Sequence, residues 1–577
     1  MSWKIKAVYK NQLAEETGAV IMPPGRKRYS FGLVYPNDYY IGMSNLGFQI
    51  IYKTINEQAN FACERAFLPD RGLEAEYIRS KTPLLTMENQ RPLYDMDIVG
   101  FALSFEMDYF NFLRCMKLAK IPLRSSDRTD MDPLIIIGGP CATFNPEPLA
   151  DFADVFVIGE GENTIQHILA VYEAKKEEKC TKEEILLHLA KLDGVYVPRF
   201  YEPTYNEDGT LSELVPQADV PKVIVRQWVH NLDGTQGETV VMTPDTEFGK
   251  LYLIEVARGC GRHCRFCMAG YSFRNPRVRS LEEVKASVLR AKPYMNKVGL
   301  MGAAISDYPW IDELSAFIRE QDMTLSVASL RADSLTDGLA SALADSGQKT
   351  ITLAPEAATK KLRQVINKGI TEQDLYQATE LAIEKGIKNV KLYIMIGLPY
   401  ETDEDIDAII ELAKNLQAFM RQHGSKGLLT LSVNPFIPKP FTPFQWLPMA
   451  ERKSVEKKLK HLQKSLQAEK KIQVLIESPK EAYVQGVLSR GDRQLGEVLI
   501  SAIEAGGSKA FMRALKNAGL TEDFYLYRTR DRHEVFPWSH IDIKVTTDYL
   551  WKELENAQNR IHTIRCFDGC RRCGVCQ

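Results

Sequence analysis

The stretch Ala257-Arg-Gly-Cys-Gly-Arg-His-Cys-Arg-Phe-Cys267 constrains this chain more than any other. It sets Cys260, Cys264 and Cys267 in one short loop with Cys-x3-Cys-x2-Cys spacing, directly after the apolar run Leu251 to Val256. Such a run predicts a buried strand. Three thiolates on one loop suit an iron–sulfur cluster better than a disulfide or a complete zinc site. A [4Fe–4S] cube takes four cysteine ligands, so three leave one iron open to a small molecule. The plainer alternative is a buried or zinc-binding trio.

Seven of the 11 cysteines fall in two tight groups. Without an export signal, grouped cysteines mean metal rather than disulfides. The opening residues, Met1-Ser-Trp-Lys-Ile-Lys, carry no apolar signal segment, and no run approaches the roughly 18 apolar residues of a membrane helix. A cytoplasmic protein without membrane contact is therefore expected. Cys63, Cys115, Cys141 and Cys180 are scattered and read as small core residues. A hydrophobic fraction of 45%, a charged fraction of 26% and a net charge of −2 describe ordinary globular domains, not a wholesale polyanion binder. With 577 residues there is room for three or four domains.

Residues 1–195 alternate apolar runs with helical stretches. Asp97 to Phe105, Leu134 to Gly139 and Asp154 to Ile158 read as strands, the last two ending in glycines, and Tyr109 to Lys120 and Thr164 to Lys176 read as helices. Asn163 is the expected N-cap of the second helix. This alternation predicts a parallel sheet covered on both faces, with ligands at the carboxyl ends of the strands. Residues 196–245 lose periodicity and gain Pro, Gly and Asp, which predicts a β-rich connector. From 246 to 445 six further strands are expected, near 251–256, 297–301, 323–328, 349–353, 389–395 and 428–433. Helices lie between them, two opened by Ser280-Leu-Glu-Glu and Thr371-Glu-Gln-Asp capping patterns. Six such units predict a partial (β/α)6 TIM-like barrel with its site at the strand ends. Residues 446–577 read as a mostly helical domain, with Val455, Leu459, Leu462 and Leu466 on one helix face.

Cys-x3-Cys-x2-Cys with the aromatic Phe266 before the last cysteine resembles the signature of the radical SAM superfamily. The resemblance implies an enzyme whose [4Fe–4S] cluster binds S-adenosylmethionine and cleaves it to a 5′-deoxyadenosyl radical, using a reductant such as flavodoxin or ferredoxin. It implies SAM contacts from Phe266, Ser329, Arg331, Glu356 and Gly397 around the expected strand ends. The N-terminal region resembles the Rossmann-like cobalamin-binding domain found before the barrel in one large subclass. Its candidate cofactor loops are Ser104, Gly138-Gly-Pro140 and Ile158-Gly-Glu-Gly-Glu162, although the Asp-x-His-x-x-Gly cobalt-ligand motif is absent. Arg274, Arg277 and Arg279 follow the cysteines and either face a phosphate or carboxylate or form ordinary salt bridges.

The chain ends with Cys566, Cys570, Cys573 and Cys576 in eleven residues. One compact run suits a second iron–sulfur cluster better than zinc, whose sites usually pair two separated knuckles; both remain open. After residue 450, 23 Lys and Arg stand against 17 Asp and Glu, an excess of 6 that permits RNA without requiring it. The substrate is RNA, protein or a small molecule, with methyl or sulfur transfer to RNA as the leading expectation. The competing function class is a non-catalytic iron–sulfur or zinc protein that binds RNA.

Overall fold

The computed structural model describes residues 2–576. Its first sheet contains β1 (Tyr29–Tyr35), β2 (Phe61–Phe67), β3 (Ile98–Ala102), β4 (Leu134–Gly138), β5 (Val155–Val157) and β6 (Val195–Tyr196). The order is β2-β1-β3-β4-β5-β6, parallel except for the last pair. Strands such as Leu134-Ile-Ile-Ile are apolar on both faces because helices Leu46–Asn56, Asp108–Ala119 and Gly161–Glu177 belong to the layers around them. The strand order reverses at β1 and β3, and a crevice opens at such a switch point. The third helix begins at Gly161, so Asn163 lies inside its first turn and is not the cap. Glu160 holds the cap position without a side-chain cap bond, because its carboxylate is engaged elsewhere.

The connector contains an antiparallel hairpin, β7 (Tyr201–Tyr205) and β8 (Leu211–Pro216), and a short β9 (Ile224–Val225). The barrel follows in two parallel sheets. The first has β10 (Tyr252–Glu255), β13 (Lys297–Met301) and β14 (Thr324–Ser326). The second has β15 (Thr350–Glu356), β16 (Asn389–Ile396), β17 (Leu429–Pro435) and β18 (Ile472–Ile476). A parallel bridge between Leu330 and Leu353 joins them. The pair β11 (Ala257–Arg258) and β12 (Arg277–Val278) brackets the cysteine loop. The last strand, β19 (Ile541–Asp542), pairs with β9. Along β15, β16 and β17 buried residues alternate with half-exposed ones. Ile351, Leu353, Val390 and Leu392 pack into the helix-covered core, which leaves Thr352, Lys391 and Tyr393 on the opposite face.

Strand β18 adds a seventh strand to the six expected. Residue 445 is therefore not a boundary: helix Arg452–Leu466 buries Val455, Leu459, Leu462 and Leu466 against the barrel and leads into β18. The helices after it, Pro479–Arg490, Leu495–Glu504 and Ser508–Asn517, do not form a core of their own. They share one with the first sheet. Phe110 meets Phe511 edge-on at 5.7 Å, and the buried Glu147 carboxylate accepts from Arg493 at 3.0 Å. Thr371 and Asp374 form a reciprocal capping box. Ser280 caps its helix one way only, because its own N–H is taken by Asp233 at 2.9 Å.

Candidate active site

The cysteine loop is a closed excursion from the edge of the barrel. Ala257 and Arg258 pair with Val278 and Arg277 at its neck. Gly259 has φ +78°, and a Cβ there would lie 2.1 Å from the Phe273 carbonyl oxygen, so only glycine fits the turn into Cys260. Cys264 is buried, and Cys260 and Cys267 are half-buried. Burial, together with the neighbouring Cys264 and Cys260, pushes the Cys267 thiol up to about 12. An isolated thiolate is disfavoured in such a place unless a positive centre binds it. The N–H groups of Arg262, Ala269 and Gly270 point at Cys260 and Cys267 and favour the anionic sulfur. The donor set thus fits a cationic thiolate-bound centre. Among the described residues no three His, Cys, Asp or Glu side chains close round a single metal ion.

Three of the expected strand-end residues meet around a lysine that the sequence did not single out. Glu356 ends β15 with φ +66°, after a register shift between Leu353 and Glu356. Bulges and left-handed non-glycine residues re-aim side chains and concentrate at functional sites. Its carboxylate accepts from Lys368 Nζ at 3.1 Å. Lys368 Nζ also lies 5.7 Å from the centre of the Phe266 ring, and its carbonyl accepts from Arg331 at 3.0 Å. Arg331 is held by Asp333 at 2.9 and 3.0 Å. Ser329 is exposed in the loop after β14. Gly397, φ +85°, lies beyond β16. Its N–H donates to Glu401 at 2.9 Å, and a Cβ would meet Ala450 at 3.1 Å, so a helix-entry turn accounts for this glycine.

Of the arginines after the cysteines, Arg277 and Arg279 are buried and paired with carboxylates. Arg277 donates to Glu160 at 2.6 and 2.9 Å and to the Val229 carbonyl. Arg258 donates to Glu160 at 2.8 Å and pairs with Glu162 at 2.8 Å. Arg279 pairs with Glu255 at 2.9 Å. Both carboxylates of the Gly-Glu-Gly-Glu segment therefore clamp the first sheet to the neck of the cysteine loop. Gly159, φ +106°, is required by the connector, since a Cβ would lie 2.1 Å from the Gln227 carbonyl oxygen. Gly138 has nothing closer than 3.8 Å and lines a cavity.

That cavity, about 550 Å³, opens at the switch point of the first sheet. Leu33, Gly100 and Ser104 line one side; Gly259, Phe273 and Gly302 line the other. It joins the carboxyl ends of β1 and β3 to the cysteine loop and the end of β13. No histidine lines it. Gly302 was legible only as the residue after an expected strand.

The four tail cysteines lie against the same loop. Cys566 N–H donates to the Gly261 carbonyl at 2.8 Å. Arg265, fully buried inside the Cys-x3-Cys-x2-Cys segment, donates to Glu553 at 3.1 Å, the Ile561 carbonyl at 2.6 Å and Thr563 Oγ1 at 3.3 Å. Asn367 Nδ2 donates to the carbonyls of His263 at 3.0 Å and Thr563 at 2.9 Å, and its Oδ1 accepts from Thr563 N–H at 3.0 Å. Arg572 Nε donates to Cys570 Sγ at 3.2 Å. Arg274 is 1% exposed, and its NH1 has no partner. A guanidinium stays charged even when buried. A buried cation with an orphaned donor beside four thiols fits an anionic, thiolate-bound group there. Cys570 and Cys573 are buried, Cys566 is half-buried and Cys576 is exposed.

A cysteine loop on the end of a parallel partial barrel, with a basic–acidic cluster at the strand ends, defines a radical SAM protein. The chain belongs to that superfamily. Residues 47–198 match the family of radical SAM proteins, N-terminal, and residues 254–413 match the radical SAM superfamily. An uncharacterized protein of Methanocaldococcus jannaschii is 30% identical over 505 residues, covering 87% of this chain and 96% of that one. An uncharacterized methyltransferase of Pyrococcus horikoshii is 24% identical over 56% of this chain and 65% of its own length. The solved cobalamin-dependent S-adenosylmethionine radical enzyme OxsB has 12% identity and a TM-score of 0.47, over 92% of this chain and 79% of that one. The chain is an enzyme whose family uses a [4Fe–4S] cluster and S-adenosylmethionine, acts on a substrate and needs a reductant. No described helix is long and apolar enough to cross a membrane.

Proposed function

We propose that this enzyme transfers a methyl group to RNA, with Cys260, Cys264 and Cys267 holding the cluster, a corrinoid in the cavity between the first sheet and the barrel, and a second iron–sulfur cluster on Cys566, Cys570, Cys573 and Cys576. The observation that carries the reading is the cavity itself, which runs from the switch-point crevice to the cysteine loop and the β13 end. When bound, the cluster supplies an electron to the sulfonium of S-adenosylmethionine and releases a 5′-deoxyadenosyl radical. Everything else in the reading belongs to the chain's own residues. Glu356 is placed to accept from two ribose hydroxyls, and Lys368 and Arg331 to pair with the methionine carboxylate. Ser329 and Gly397 border the same barrel end. Phe266 shields the cluster side of the adenosyl group from water. The Glu160–Arg277–Arg258 clamp holds the two halves of the cavity at fixed separation, so that a cofactor in one half faces the radical source in the other. The lining residues provide no lower-face histidine ligand, so the corrinoid is expected to be held by shape and backbone contacts.

RNA is favoured by the tail surface. Arg560, Arg565 and Arg571 are exposed beside the exposed side chains of Ile561, Ile564 and Phe567, with Asp568 as the one acid from 560 to 576. Arginines interleaved with apolar and aromatic groups suit unpaired nucleotides. The Pyrococcus relative is named a methyltransferase, which supports the group transferred. The test is anaerobic reconstitution with iron, sulfide and hydroxocobalamin, followed by methyl-labelled S-adenosylmethionine, dithionite and total cellular RNA. Labelled RNA, 5′-deoxyadenosine and corrinoid retained through dialysis are expected. Equal 5′-deoxyadenosine from the Cys260/Cys264/Cys267→Ala variant, or no retained corrinoid, would reject the reading.

A further inference from the structure

His263 occupies an unusual place. It lies between Cys260 and Cys264 in sequence, yet its ring, with the residue 2% exposed, contacts Tyr549 and Cys566 near the chain's end. Its Nδ1 is 2.9 Å from Arg274 NH2 and 2.6 Å from Tyr549 Oη. Its Nε2 is 3.4 Å from Cys566 Sγ. An arginine can only donate, so Nδ1 must be the accepting nitrogen, which leaves the ring proton on Nε2. Arg572 NH2 is also near Nε2, but at 3.5 Å and already committed to the Ile564 carbonyl at 2.9 Å. It does not compete with the shorter Arg274 contact. The tautomer is thus set by the residues around the ring, and Nε2–H faces the first sulfur of the tail quartet. The backbone repeats the link, because the Cys566 N–H is bonded to Gly261 O.

We propose that His263 is a positioning residue for the tail cluster: its Nε2–H donates to Cys566 Sγ, so that the loop carrying the first three cysteines sets both the place and the reduction potential of a cluster on the last four. This rests on the tail-cluster reading above. A hydrogen bond to a cluster sulfur stabilises the more negative, reduced state, so it raises the potential. Arg274 acts in the same direction, as a buried cation beside Cys566 and Cys573. The two cysteine sets therefore form one unit in which the intervening residues of the first motif serve the second.

The test is redox titration of the reconstituted full chain, followed by electron paramagnetic resonance, with the tail signal assigned by its loss in Cys570→Ala. His263→Leu removes the donor. His263→Gln keeps an N–H at about the position of Nε2, and His263→Asn places its amide where Nδ1 was, short of Cys566. The tail signal should titrate at a more negative potential in His263→Leu and His263→Asn and return towards wild type in His263→Gln. The signal from the first cluster should not move. An unchanged tail potential in both donor-deficient variants, with full iron, overturns the proposal. Should His263→Leu fail to fold, the Asn and Gln pair alone decides. If the wild-type chain instead carries about four irons and one zinc, the tail-cluster reading has failed, a result distinct from any shift in potential.

Discussion

Several buried charges in this chain are paired, and those pairs join segments far apart in sequence. Glu160 and Arg277 are 117 residues apart. Removing one partner of a buried pair leaves the other uncompensated, which costs about 3–5 kcal/mol. Glu160→Gln is expected to lower stability by that order, read as a drop in the urea midpoint, and to loosen the cavity. Burial alone would raise the Glu160 pKa, but the Arg277 hydrogen bonds and the Arg258 charge outweigh it and hold the carboxyl below its ordinary value. The clamp is therefore fully formed above the unfolded carboxylate range and is lost only as pH falls through that lower value. His540 behaves differently over a milder range. Burial lowers its pKa to about 4, against the opposing charge of Glu147. Between pH 6.5 and 4 the unfolded ring takes a proton that the native ring refuses. Stability is present above 6.5 and falls towards 4, by about 3 kcal/mol from this group. Urea unfolding at pH 7.5 and 4.5 should show the loss, and His540→Leu should reduce the difference between the two pH values.

At the scale of elements, the cysteine loop depends on its neck and the site on a broken strand. Gly259→Ala would require a Cβ in contact with the Phe273 carbonyl at a backbone angle that disfavours any side chain. The strain, about 1–3 kcal/mol, is local to the loop. Reconstituted Gly259→Ala should therefore bind less iron at the first site while its melting temperature falls by only a few degrees; wild-type iron content would show that the turn is not what holds the loop. Strand β15 makes the complementary point. Its first four residues keep register with β16, and the shift before Glu356 then turns the acid towards Lys368.

Over the whole molecule, the first sheet, the C-terminal helices and the tail fold as one body around a shared core, with the barrel docked through Glu160 and the tail. A chain ending at residue 445 would lose β18 from the edge of the barrel sheet and the C-terminal helices that share the first sheet's core. It is expected to be insoluble or to lack a cooperative transition. A chain ending at 565 loses only the tail quartet; it should stay soluble, with a melt close to the full chain, and carry about four irons where the full chain carries about eight. Soluble, cooperatively folding 1–445 would contradict the shared core.

Strand and helix positions were legible because hydrophobic periodicity is local. The spacing of Leu251 to Val256, of Val455 to Leu466 and of the two cysteine groups needs only neighbours in sequence, and β10 and the strands from β13 to β17 lie within a few residues of their expected places. Cys260, Cys264 and Cys267 were legible for the same reason. The tertiary structure alone decided what depends on chain segments meeting: that Glu160 clamps Arg277 and displaces Asn163 from its expected cap, that Lys368 gathers Phe266, Arg331 and Glu356, and that His263 reaches Cys566 across 303 residues. Such pairings carry no period and no fixed spacing. They exist because most buried polar groups find a partner once water is gone, and which partner is nearest is set by the packing of the sheets.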